Sequence, residues 1–151
     1  MRKLITDYGQ FWERAKMFAV ENGRVCDTDH LWPESGKRPP ICGPGIYILY
    51  RGTTPVYVGK GTAHLGIYKR LKTHAQDWLA PFWDNVSWYA FGDKDKATIE
   101  AVESLLVATI PTLLNSAQPG GQLGKRRRLG NATNDAANTL WRSAGDEDTA
   151  A

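Results

Sequence analysis

Tyr47, Tyr57, Lys60, Arg70, His74 and Glu103 are of types that could form a chemical site, and the cations among them suit a phosphate. Arginine presents a planar fork of donors that matches phosphate oxygens, and histidine exchanges a proton near neutral pH. Arg70 and His74 stand four residues apart, so on a helix they project together. Glu103 and Glu100 share a segment with helical periodicity. At about 100° per residue, Glu103 falls roughly 90–100° from the centre of the apolar stripe, while Glu100 falls about 150° away. A carboxylate at the edge of a buried face is held in place and still reaches a cleft, so Glu103 is the candidate ligand and Glu100 a surface charge. Lys60 lies in Gly59-Lys60-Gly61-Thr62, which lacks the G-x-x-x-x-G-K-[ST] spacing of a nucleotide phosphate loop. Gly59 and Gly61 are expected instead to let a substrate backbone approach closely.

The elements that must position these residues follow from pattern. Gly45 to Tyr50 and Val56 to Gly59 are short apolar runs around Arg51-Gly52-Thr53-Thr54-Pro55, the pattern of a β-hairpin. With a loop of about three residues, Tyr47 and Tyr57 fall opposite each other on one face. A helix is expected from about Leu65 to Trp78, with Leu71, Ala75, Trp78 and Leu79 on its buried side and Pro81 ending it. Val86 to Phe91 reads as a third strand. Lys96 to Thr109 reads as a helix capped by Asp93 or Asp95, with Ile99, Val102, Leu105, Leu106 and Thr109 as its stripe. Leu113-Leu114-Asn115 is expected to return extended. Upstream, Thr6 to Asn22 reads as an amphipathic helix stopped by Asn22-Gly23, followed by a Pro- and Gly-rich loop over 27–44. Asn131 to Arg142 is expected to form a small last helix.

Gly45-Ile46-Tyr47, nine intervening residues, Tyr57-Val58-Gly59 and then Lys60 resemble the signature of the GIY-YIG nuclease superfamily. Downstream, Arg70 with His74, then Glu103, Pro111 and Asn115, resemble the family's Arg, His, metal-binding Glu and closing Asn in order. Val58 stands where the family has Ile, and the stretch from Lys60 to Arg70 is long for it. The resemblance covers residues 43–116, with an N-terminal helix and loop over 1–42 and a basic segment over 117–151 outside it. It implies an α+β fold with a small three-stranded antiparallel sheet flanked by helices. It also implies hydrolysis of a DNA phosphodiester with one Mg²⁺ or Mn²⁺ held by Glu103. Arg70 and Lys60 would stabilise the charge of the transition state. Tyr47, Tyr57 or His74 would activate the water, the choice being open, and Asn115 would brace the site. Gly45, Gly59 and Gly61 would be structural glycines of the signature.

A chain of 151 residues with 42% hydrophobic and 23% charged residues fits one folded domain. No apolar run approaches the roughly 20 residues of a membrane span, and the N-terminus has no hydrophobic signal core. A cytoplasmic protein is therefore expected, with Cys26 and Cys42 as structural thiols. Cys26, His30 and Cys42 lack the CxxC spacing of a structural zinc site. The net charge of +3 is unevenly spread: Lys69, Arg70 and Lys72 cluster, and Lys125-Arg126-Arg127-Arg128 form a run. Such clusters, interleaved with Tyr, His and Trp, suit a polyanion partner, and the resemblance implies that this partner is DNA, double-stranded DNA above all. The alternative is a non-cleaving nucleic-acid-binding module that retains the GIY-YIG fold.

Overall fold

The computed structural model describes residues 4–32, 36–37, 39–62, 65–92, 96–112 and 114–115. Its centre is a four-stranded antiparallel sheet made of β1 (Ile5–Glu13), β4 (Gly45–Arg51), β5 (Thr54–Gly61) and β6 (Asn85–Phe91), in the order β1-β6-β4-β5. A single helical turn, α1 (Arg14–Met17), leads from β1 into a separate hairpin of β2 (Phe18–Glu21) and β3 (Arg24–Asp27). Helix α2 (Gly66–His74) packs on one face of the large sheet and α3 (Lys96–Thr109) on the other. Alternation along β4 divides the core accordingly. Tyr47 and Leu49 face α2 with Ile67, Leu71 and Trp88, while Ile46 and Ile48 face α3 with Val58 and Ile99.

The fold is α+β as expected, but its main sheet has four strands rather than three. The extra strand comes from the segment expected to be an N-terminal helix. Gly9 is the reason in part. A Cβ there would lie 2.3 Å from the Trp88 indole nitrogen, so the bare backbone lets the buried Trp88 side chain lie against β1. In a helix interior the same glycine costs about 1 kcal/mol relative to alanine. Asn22 and Gly23, both at positive φ (51° and 74°), form the two-residue turn of the β2–β3 hairpin rather than a helix stop.

The β4–β5 hairpin is present, with a turn of two residues, Gly52-Thr53, and a bulge beside Leu49 and Tyr50. The expected direct opposition of the tyrosines is thereby corrected. Tyr47 pairs with Gly59 and Leu49 with Tyr57, so the phenols share a face diagonally, with ring centroids 6.3 Å apart. Helix α2 ends at His74 rather than running to Trp78. Pro81 sits inside a later short turn, Ala80–Phe82, and Trp78 is exposed. Helix α3 matches its expected span, but Leu105 points to solvent, and Val107 and Ile110 pack with Ile99, Val102 and Leu106 in its place. Leu114 forms no strand, although its N–H bonds the Val56 carbonyl at 3.1 Å. Asp93, Asp95, Leu113, the expected last helix and Lys125–Arg128 lie outside the described residues.

Candidate active site at the edge of the sheet

Strand β5 is an outer strand of the sheet, and the candidate residues gather around it from both faces. On the α2 face, Tyr47 of β4 is fully buried and Tyr57 of β5 is 5% exposed. His74, at the last turn of α2, is buried between them, its ring centroid 5.7 Å from that of Tyr47 and 5.4 Å from that of Tyr57. Its Nε2 lies 2.8 Å from the Tyr47 hydroxyl, and its Nδ1 lies 2.7 Å from the Oδ2 of Asp77. The Trp83 indole donates to the His74 carbonyl at 3.0 Å, which fixes the end of the helix. One turn back, Arg70 is exposed and bonds the hydroxyls of both tyrosines. An exposed guanidinium is thus held by two phenols.

Burial sets the protonation of this group. It pushes Tyr47 well above the ordinary phenol range, helped by the neighbouring Tyr57, and pushes Tyr57 up as well. Arg70 draws both values down by less than burial raises them. Burial also pushes His74 below its ordinary value, against the upward pull of Asp77. At neutral pH the cluster is therefore two phenols, a neutral imidazole and one guanidinium.

On the α3 face, Lys60 of β5 meets Glu103 Oε2 at 2.7 Å and Glu100 Oε1 at 3.7 Å. Glu103 is at the edge of the buried stripe, as its angle predicted, with 21% of its side chain exposed against 42% for Glu100. Between the two halves stands Gly59. A Cβ there would lie 2.4 Å from the Tyr47 ring and hydroxyl, so this glycine serves Tyr47 rather than a substrate backbone. Gly61 likewise makes room for the protein itself, since its Cβ would strike the Gly66 backbone at 2.3 Å. Gly45 lies against the Tyr89 carbonyl, where a Cβ would stand 2.0 Å away. The halves are close enough for the Glu103 charge to raise both phenols.

Two expected residues have other work. Asn115 donates from Nδ2 to the Val58 carbonyl and accepts the Val58 N–H at Oδ1, both at 2.7 Å. It braces the outer edge of β5 with both ends of its amide. Lys72 donates to Asp27 Oδ1 at 2.9 Å, and Tyr68 and Trp32 donate to the other oxygen of that carboxylate. Burial raises the Asp27 carboxyl, but these three bonds outweigh it and hold the group below its ordinary value. Lys72 is therefore a tie between α2 and β3, and Lys69 and Arg70 are the exposed cations of that cluster. His30 is exposed, and neither Cys26 nor Cys42 is in a disulfide.

Asp77 and the Lys60–Glu100 contact escaped the reading of the sequence. The usable signal for Asp77 was its place three residues after His74, close enough to reach the ring across the helix end. No group of three or more His, Cys, Asp and Glu side chains gathers to hold a metal among the described residues. The donor set at the site is two carboxylates one helical turn apart, both facing the Lys60 ammonium. That fits a hard cation such as Mg²⁺, which binds through one or two carboxylates and keeps several waters. No helix among the described residues is long and apolar enough to cross a membrane. No protein-family model, curated protein or solved structure matches this chain.

Proposed function

We propose that this protein is a GIY-YIG-type endonuclease that hydrolyses DNA phosphodiester bonds with the help of one divalent metal ion. The observation that carries this reading is the convergence on one strand edge of a phenol-held guanidinium, Arg70, and a carboxylate–lysine pair, Glu103 and Lys60. These residues occur in the order of the motif that the sequence resembles.

In hydrolysis the water oxygen forms a bond to phosphorus and the phosphorus–sugar oxygen bond breaks; the proton the water loses passes to bulk solvent, and the leaving sugar oxygen takes one from solvent. Arg70, exposed beside the two phenols, binds the phosphate and stabilises the charge that grows on its oxygens. Tyr57, which keeps 5% exposure where Tyr47 keeps none, positions the water by hydrogen bonding. Tyr47 has no exposed surface, so it holds Arg70 instead of touching the nucleophile. Both phenols are held protonated, which makes neither a resting base at neutral pH. Glu103, with Glu100 as a second donor, would hold Mg²⁺ or Mn²⁺, which when bound neutralises phosphate charge and eases departure of the leaving oxygen. Lys60 is placed to exchange its carboxylate for a phosphate oxygen. Cytoplasmic residence belongs to this reading, on the two thiols outside any disulfide.

One observation favours the second reading, a nucleic-acid-binding module that does not cleave: Glu103 is already paired with Lys60. Incubating the protein with duplex DNA and Mg²⁺ or Mn²⁺, beside chelator, Glu103→Ala and Arg70→Ala, separates the two. We expect cleavage by the native protein and a loss of about 10²–10³-fold or more in each variant. Native protein that retains DNA intact with both metals leaves the binding module as the function.

A further inference from the structure

Asp77 lies outside every motif discussed above, yet both its oxygens are engaged. Oδ1 accepts the Leu79 N–H at 2.8 Å, and Oδ2 meets His74 Nδ1 at 2.7 Å. A carboxylate only accepts, so the proton in the second contact belongs to Nδ1. A neutral imidazole carries one N–H, which leaves Nε2 bare. In the 2.8 Å contact between Nε2 and the Tyr47 hydroxyl, the hydroxyl must then be the donor. Its hydrogen points inward to His74, and its lone pairs are left for Arg70, a side chain with donors only. The direction of the whole chain is set at its far end.

We propose that Asp77 is a positioning residue that fixes the His74 tautomer, and through it the acceptor state of the Tyr47 hydroxyl that holds Arg70. Its catalytic consequence rests on the nuclease reading of the site. With the opposite tautomer, Nε2–H would donate to Tyr47, and the phenol hydrogen would turn toward the guanidinium. Arg70 would lose an acceptor and meet a donor in its place. Neutral asparagine at position 77 has the size of aspartate and can donate its amide to Nδ1, so it reverses the chain with little change of shape.

The test is the ¹⁵N spectrum of the His74 ring, in a His30→Gln/His64→Gln background that leaves His74 as the sole histidine of three. The native ring should be the Nδ1–H tautomer, and Asp77→Asn should convert it to Nε2–H with the fold retained by circular dichroism. Cleavage by Asp77→Asn should fall about 10- to 100-fold, the usual scale for supporting partners. The loss should appear in kcat rather than KM, and Asp77→Glu should restore part of it. A native Nε2–H tautomer, an unchanged tautomer in Asp77→Asn, or full activity of that variant overturns the proposal. If the native protein does not cleave DNA, the nuclease reading fails, while the tautomer measurement still decides the role of Asp77.

Discussion

His74 is buried between a carboxylate and a phenol, and that has a consequence for stability as well as for chemistry. Its value is depressed in the folded protein relative to the ordinary 6.5. The unfolded chain therefore binds a proton first as pH falls. The stability contributed by the neutral ring is complete above about pH 6.5 and is lost as pH falls from there through the depressed value. Unfolding in urea at pH 7.5 and 5.5 should show this loss, and His74→Gln should flatten it, with Asp77, Arg70, Tyr47 and Tyr57 left facing the site. Gly59→Ala tests the same pocket from the strand side. Its methyl group would push on the Tyr47 ring, and about 1–3 kcal/mol of destabilisation is expected in equilibrium unfolding. Residue types and order singled out Arg70, His74 and Glu103, which the fold gathers beside β4 and β5. The bonding of Tyr47 was not, because it depends on a diagonal register created by a bulge beside Leu49 and Tyr50.

At the scale of elements, Asn115 acts as a one-residue strand against β5. Asn115→Ala leaves the Val58 N–H and C=O without that partner, and we expect a cost of about 1–3 kcal/mol with faster amide exchange at Val58. Helix α3 and the β4–β5 hairpin were readable because their patterns are local: a recurring apolar stripe in one, and paired apolar runs around a turn in the other. The segment from Ile5 to Glu13 was not. Its partner in the sheet, β6, lies some seventy to ninety residues away, from Ile5 against Phe91 to Glu13 against Asn85. A helical apolar spacing there competed with a sheet edge that no local window contains. Asn22-Gly23 carried the correct signal, since that pair favours a two-residue hairpin more strongly than a helix end.

For the whole molecule, charge placement matters more than the net +3. Lys72 is tied to Asp27, so Lys72→Met should leave the salt dependence of DNA binding unchanged while loosening α2 from β3. Neutralising Lys125 to Arg128 should weaken binding at all sequences and flatten the plot of log affinity against log salt, by about 0.9 for each duplex phosphate contact removed. Equal slopes for the native and neutralised proteins would remove that segment from the interface. The two borders of the main sheet differ in a way that bears on self-association. At β5, Asn115 and the Leu114 N–H occupy the outward backbone at Val58 and Val56. At β1, twice interrupted in its register and exposing Ile5, Tyr8 and Phe11, the outer side has no strand beside it among the described residues. Among the described residues the sheet is thus covered in part at one border and open at the other. Two copies meeting through β1 would use up both open borders, so growth by strand addition would close at a pair instead of running on into a fibre.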